Sequence, residues 1–165
     1  VLQGTAGKDR PPVFAQIALI SSHAPWTPVP SLVDWDEIGD GRIFNEVAVS
    51  GDPPDVVWRD HDRVRDQFRQ AVDYSIQTVG AFAARHADDP PLMIVIGDHQ
   101  PARFVSEDDS FAVPVHIIGP QDLVARFGDW GWNEGLIPKL DARTWRMDMF
   151  RNQFLSTFSS GAPSP

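Results

Sequence analysis

The chain has 165 residues, of which 42% are hydrophobic and 22% charged, as expected of a globular protein with one sizeable core. The formal net charge of -9 argues against binding to nucleic acid or to an anionic membrane surface, because both require a basic face. The absence of cysteine excludes disulfides and thiolate chemistry.

The first predicted element is a strand at residues 13–20, a near-continuous apolar run that follows two prolines. It ends in a polar tip that carries His23, and the proline-rich stretch after this tip excludes a regular helix. Residues 31–59 lack sustained periodicity and are predicted to form a long irregular excursion.

The clearest predicted helix covers residues 60–87, where apolar side chains recur at spacings of three and four. Asp60 and Asp62 are placed to cap its first turn and to complement the helix dipole.

A second strand is predicted at residues 92–97, an apolar run with prolines on both sides. This pattern is typical of a central strand that is buried on both faces. The run ends in Gly97, and Asp98 and His99 follow directly, so both side chains are expected at the rim of a sheet.

The remaining predicted elements are a strand at 111–120, a short helix at 121–127 and a final helix at 142–158 with Asp141 as its cap. The small, polar residues 159–165 are predicted to be a disordered tail.

This order of elements predicts a single α/β domain over residues 1–158, with three α/β/α layers and a mainly parallel sheet. A long helix between two buried strands indicates a right-handed crossover between parallel strands. Since parallel strands end at the same edge, His23 is expected to lie near Asp98 and His99.

The pair Asp98–His99 offers a carboxylate oxygen and an imidazole nitrogen, a combination that suits zinc or manganese better than calcium. The alternative is that Asp98 caps a turn and His99 is an ordinary loop histidine, because dipeptide motifs have many false positives.

Four motifs together resemble the C-terminal half of the alkaline phosphatase superfamily. The resemblance spans residues 13–120 and is greatest to the sulfatase-like, membrane-anchored branch, which includes lipoteichoic acid synthases and phosphoethanolamine transferases. The matching residues are Ser21-Ser22-His23-Ala24-Pro25-Trp26, Tyr74 with Val79-Gly80, Ile94-Val95-Ile96-Gly97-Asp98-His99, and Val113-Pro114-Val115-His116-Ile117-Ile118-Gly119-Pro120.

The resemblance implies that Asp98 and His99 are ligands of a catalytic divalent metal, zinc or manganese. It implies that His23 faces the phosphate or sulfate group, or a second metal. The chain departs from the family at Gln100, where the family often has glycine, and near Gln77, where an acid is common. The family's Thr or Ser nucleophile and a further acidic ligand have no counterpart among these residues.

The chain is therefore expected to be the C-terminal portion of a metal-dependent hydrolase or transferase of phosphate or sulfate esters. It would be inactive alone and would need the upstream half of the same polypeptide. By resemblance, that polypeptide is anchored to a bacterial membrane through an N-terminal segment, with this portion in the periplasm or on the extracellular face. The alternative is a non-catalytic α/β domain that serves binding or assembly.

Overall fold

The computed structural model describes residues 11–47 and 51–159, which divide into two compact units. The first unit contains the described residues up to Asp89 together with Pro101–Asp109, and the second contains Pro90–Gln100 and the described residues from Ser110 onward. In chain order, the elements are a 3-10 turn (Ile20–Ser22), α1 (Ile43–Val47), α2 (Pro54–Val57), α3 (His61–Arg85), β1 (Met93–Ile96), α4 (Arg103–Ser106), β2 (Val115–Ile118), α5 (Gln121–Ala125), a 3-10 turn (Gly128–Trp130) and α6 (Met147–Phe158).

The prediction of a long helix is confirmed in α3, which begins at its predicted cap. The Asp60 carboxylate accepts hydrogen bonds from the backbone N–H groups of Asp62, at 2.9 Å, and Arg63, at 3.4 Å. These bonds satisfy two of the N–H groups that a helix start leaves without partners. Val64 and Ala71 are buried on one face of α3, as the helical spacing predicts, and Ser75 is buried with them.

The core of the first unit packs against this face of α3. Its buried members come from the loop after the first 3-10 turn and from α2, α3 and α4: Trp26, Val57, Val64, Ala71 and Val105. Phe68 and Phe104 are partly buried and pack against this cluster. The loop that carries His23 is thus attached to the core through Trp26.

Besides the packing of Phe104 and Val105, one arginine of α3 makes polar contacts with the segment 101–109. The Arg65 guanidinium donates from Nε to the Phe104 carbonyl at 2.9 Å, and its two terminal nitrogens lie 2.7 Å from Asp62 and 2.8 Å from Glu107. Because Arg65 carries a planar fork of donors, one side chain can hold all three groups.

The predicted three-layer α/β/α fold with a mainly parallel sheet is wrong. The described residues are mostly helical, and their only sheet has two antiparallel strands, β1 and β2. The expected crossover required a strand before α3, and residues 13–19 form no strand in the structure. An apolar run specifies side chains that favour burial, but a strand also needs a partner with which its backbone can pair.

Strand β1 confirms the second predicted strand, although its burial differs from the prediction. Met93, Ile94 and Val95 are half-buried and Ile96 is 41% exposed, so β1 is not covered on both faces. It pairs with β2 in the register Met93↔Ile118 to Ile96↔Val115. The strands are consecutive in the chain, which allows antiparallel pairing without a crossover helix.

The second unit contains an aromatic cluster formed mainly by the second 3-10 turn and α6. Phe127 and Trp130 are 1% and 2% exposed, and their ring centroids lie 5.0 Å apart. The partly buried aromatic residues around these two are Trp132, Trp145, Phe150, Phe154 and Phe158. Trp130 is therefore a core residue of the second unit.

The two C-terminal helices are confirmed, but α6 is shorter than predicted. It begins at Met147 with Arg146 at its N-cap, so the prediction that Asp141 caps it is wrong. Residues 160–165 of the predicted tail and residues 1–10 lie outside the described residues. No helix within 11–47 or 51–159 combines the length and apolar character of a membrane span.

Candidate functional site

The Asp98–His99 pair follows β1 at a point where the chain lies close to residues 113–114. The Gly97 N–H donates to the Pro114 carbonyl at 3.0 Å. A Cβ atom at position 97 would lie 3.1 Å from the Val113 Cβ, closer than ordinary van der Waals contact. Glycine therefore lets the chain run close to residues 113–114 immediately before the two polar side chains.

The side chains of Asp98 and His99 lie beside each other and are open to solvent. One Asp98 oxygen, Oδ1, accepts the backbone N–H of His99 at 2.9 Å. The other, Oδ2, lies 3.6 Å from His99 Nε2. The side chains are 85% and 69% exposed, respectively, so a solute can reach both atoms.

The imidazole of His99 is oriented by its neighbour in the chain. Its Nδ1 atom lies 2.8 Å from the Gln100 carbonyl oxygen, which can only accept a hydrogen bond. The proton of the neutral ring therefore belongs on Nδ1, and Nε2 carries the free lone pair. Histidines that bind metals commonly donate their second ring N–H to a carbonyl in this way.

Gln100 fixes the loop that leaves this pair. Its side-chain amide donates to the Ala112 carbonyl, which joins the residues after β1 to those before β2. Glycine, frequent here in the resembled family, could not make this bond. Sequence reasoning treated Gln100 only as a departure and missed its structural part.

His23 lies in the first unit, directly after the 3-10 turn. Its N–H donates to the Ile20 carbonyl at 3.0 Å, and its Nδ1 lies 2.8 Å from the Ala24 carbonyl oxygen. The ring is exposed and, like that of His99, keeps Nε2 free in its neutral form. His23 was expected near Asp98 and His99 because parallel strands end at the same edge of a sheet, but the described residues contain no parallel strands. The proximity of His23 to the pair stays a prediction.

Trp26 anchors the loop that carries His23, a contribution that sequence reasoning missed. Its φ is 59°, in the left-handed region that residues with a side chain rarely adopt. Its ring stacks on Trp58 with centroids 5.6 Å apart, meets Phe68 edge-on at 5.1 Å, and donates from Nε1 to the Ser22 carbonyl at 2.8 Å. Its signal in the sequence was a large aromatic residue between two prolines.

A polar cavity of about 260 Å³ lies elsewhere in the first unit, between the Thr27 loop and α3. Arg63 and Gln67 of α3 line it, and Arg63 is paired with Asp52 at 2.5 Å. Since this pairing already neutralises the cation, the cavity has no free positive charge from Arg63 with which to hold an anion.

Asp98 and His99 supply two potential ligands, whereas a catalytic zinc site commonly uses three protein ligands. Within residues 11–47 and 51–159, no three His, Cys, Asp or Glu side chains are grouped so as to hold a metal ion. A metal bound at this pair would therefore need a further ligand from outside the described arrangement.

Comparisons of the chain with protein-family models, with curated proteins and with solved structures find no match.

Proposed function

We propose that Asp98 and His99 are two ligands of a divalent metal site at which a phosphate or sulfate ester is hydrolysed or transferred. The observation that carries this proposal is the arrangement of donor atoms after β1. Asp98 Oδ2 and His99 Nε2 face each other at 3.6 Å, and both side chains are open to solvent.

The separation of these two atoms fits coordination to one cation. Zinc binds imidazole nitrogen at about 2.0–2.1 Å and carboxylate oxygen at about 2.0–2.2 Å, so a tetrahedral angle separates the donors by about 3.4 Å. The observed 3.6 Å is close to this value. It is too long for a hydrogen bond, so the two atoms do not already satisfy each other.

The surrounding groups would keep both donors available. The Gln100 carbonyl holds the proton of His99 on Nδ1, and the His99 N–H engages only one carboxylate oxygen of Asp98. A divalent cation, when bound, supplies charge that stabilises the phosphoryl or sulfuryl group and activates an oxygen nucleophile.

His23 is the proposed proton-transfer group of the same reaction. With its Nδ1 proton directed to the Ala24 carbonyl, its exposed Nε2 can accept a proton from a nucleophile or, once protonated, donate to an ester oxygen. The nucleophile and the third ligand would come from the upstream half of the same polypeptide. That polypeptide would be anchored to a bacterial membrane, with this portion outside the cytoplasm.

The metal site can be tested with Mn²⁺ on the isotopically labelled chain. We expect sub-millimolar Mn²⁺ to broaden the NMR signals of residues 97–100 selectively, and the double substitution Asp98→Asn/His99→Ala to remove this broadening. His61→Ala is the matched control, because His61 is also exposed and also neighbours an aspartate, but Asp62 is paired with Arg65. Broadening that persists in the double variant would contradict the proposed ligands.

The reaction is tested with aryl phosphate, phosphodiester and sulfate esters in the presence of zinc or manganese. We expect no turnover by the 165-residue chain and turnover by a polypeptide extended upstream, which His99→Ala should abolish. Robust turnover by the short chain that is lost in Asp98→Ala would contradict the need for an upstream half.

A second candidate is a non-catalytic module for binding or assembly. It is favoured by the exposed apolar run at residues 13–20, where Phe14 is 92% exposed and Ile17 72% exposed. Absence of selective Mn²⁺ broadening together with self-association would favour this candidate over the metal site.

A further inference from the structure

Apart from the backbone bonds of the 3-10 turn that follows, the only hydrogen bond to the backbone of residues 12–19 among the described residues is the one that the Ser22 hydroxyl donates to the Leu19 carbonyl at 3.5 Å. This segment forms no helix or strand, and no hydrogen bond joins the backbone of residues 12–18 to another described residue. Every residue of the segment is exposed. Burying an apolar segment is unfavourable if its backbone N–H and C=O groups lose their hydrogen bonds to water. Pairing with another strand replaces those hydrogen bonds, so the apolar side chains can then be buried.

The side chains of this segment favour a strand. Val13, Phe14 and Ile17 are of the β-branched and aromatic types that pack well on sheets, and they are 51%, 92% and 72% exposed. No Asp, Glu, Lys or Arg occurs between Arg10 and Asp34. The segment thus lacks the charges that natural proteins use to prevent exposed strands from pairing.

The same chain also carries an open sheet edge. In antiparallel pairs, successive residues direct their N–H and C=O groups alternately toward and away from the partner strand. The Gly97 N–H donates to the Pro114 carbonyl, so Val95 and Met93 also direct their backbone groups toward β2. Ile94 and Ile96 direct theirs to the other side. No backbone hydrogen bond to Ile94 or Ile96 from that side occurs among the described residues.

We propose that two copies of this chain associate by reciprocal strand exchange, in which residues 12–19 of each copy pair with the free edge of β1 in the other. Within the described residues, each copy holds one strand donor and one sheet edge to which no other strand is paired, so two identical copies can satisfy both reciprocally. Strand addition to an exposed edge is a common mode of peptide recognition. This inference is independent of the metal site.

Charge also favours this location for the contact. Each copy has a formal net charge of -9, which opposes association, but the donor segment is uncharged and β1 is entirely apolar. The repulsion is therefore long-range and can be screened, whereas the proposed contact is apolar. We expect association to strengthen as the salt concentration rises.

Analytical ultracentrifugation of the full chain measures the exchange directly. We expect a reversible dimer, weakened at least tenfold by the donor variant Ala15→Pro/Gln16→Pro, because proline removes a backbone N–H on each side of the strand. The matched variant Ala15→Val/Gln16→Thr keeps both N–H groups and should dimerise at least as well as the parent chain. A monomeric parent chain, or a donor variant that dimerises normally, would overturn the proposal.

The edge is tested with Ile94→Pro, which removes an outward N–H without breaking a bond between β1 and β2. We expect this edge variant alone to be weakened as the donor variant is, and an equimolar mixture of the two to associate, since one donor and one edge remain intact in the mixed pair. A dimer that loses its stability only in the donor variant would indicate pairing between the two 12–19 segments and would overturn the exchange.

Hydrogen exchange of the unmodified chain keeps the proposal testable if the proline variants do not fold. On raising the protein concentration across the dimer transition, amide protection should increase together at residues 12–19 and at Ile94 and Ile96. Protection that increases in only one of these regions would contradict reciprocal exchange.

Discussion

At Trp26 we expect glycine to destabilise the protein less than alanine does, the reverse of the order usual at a buried position in regular structure. The residue is 6% exposed and lies at φ 59°, inside a shell formed by Trp58 and Phe68. Truncating a buried tryptophan to alanine costs about 3–5 kcal/mol of folding free energy. We expect Trp26→Ala to lose stability in this range.

Glycine at the same position should be more stable than alanine. A residue with a Cβ pays about 1–2 kcal/mol in the left-handed region, whereas glycine pays about 0.5–1 kcal/mol of additional backbone entropy. The difference makes Trp26→Gly more stable than Trp26→Ala by about 0.5–1 kcal/mol. In a unit of 60–100 residues, each kcal/mol shifts the unfolding midpoint by about 4–8 °C.

Thermal unfolding followed by circular dichroism at the helix band measures this difference without relying on tryptophan emission. The matched control is Ala71→Gly, because Ala71 is fully buried in the middle of α3, where glycine should cost about 1 kcal/mol. If Trp26→Gly were less stable than Trp26→Ala, as at Ala71, the left-handed conformation of Trp26 would be contradicted.

Three further predictions concern the metal, one acidic side chain and one glycine. Calorimetry should show weak zinc binding or none, because no third potential ligand joins the Asp98–His99 pair within the described residues; tight, stoichiometric binding would reveal further ligands. Hydrogen bonds from Arg69 and Gln70 lower the pKa of Asp66 below that of an ordinary aspartate, which NMR titration can measure. Its stabilising contribution should therefore be present above the ordinary aspartate range and disappear as the pH falls through the folded-state pKa. Gly119→Ala should destabilise the chain by about 1–3 kcal/mol because its Cβ would lie 2.9 Å from a backbone atom of Leu92; unchanged stability in denaturant would contradict this packing.

The features predicted correctly from the sequence depend on interactions between near neighbours in the chain. The spacing of apolar residues and the Asp60 cap located α3, since a helix satisfies its backbone within its own length. The apolar run before Gly97 located β1 and placed Asp98 and His99 directly after it. The 2.8 Å contact between His99 Nδ1 and the Gln100 carbonyl was not foreseeable, because the spacing of residues in a sequence does not indicate how an imidazole ring is oriented.

The features predicted wrongly depend on partners that are distant in the chain. Residues 13–20 have the composition of a buried strand, yet composition does not supply a neighbouring edge, and five large apolar side chains there remain exposed. The prediction of a mainly parallel sheet was wrong for the same reason, since apolar runs do not indicate whether two strands run parallel. All four residues of β2 are half-buried, so the strand lacks the alternation of buried and exposed residues that is typical of an antiparallel pair with one face in solvent.

The distribution of the six tryptophans gives each unit its own optical reporter. Trp26, Trp35 and Trp58 belong to the first unit, and Trp130, Trp132 and Trp145 to the second. Buried indoles emit at shorter wavelengths than hydrated ones, so loss of the Trp26 or Trp130 environment shifts the emission to the red. Replacing the three tryptophans of one unit by phenylalanine would leave a spectrum that follows the other unit, and would show whether the two melt in a single transition.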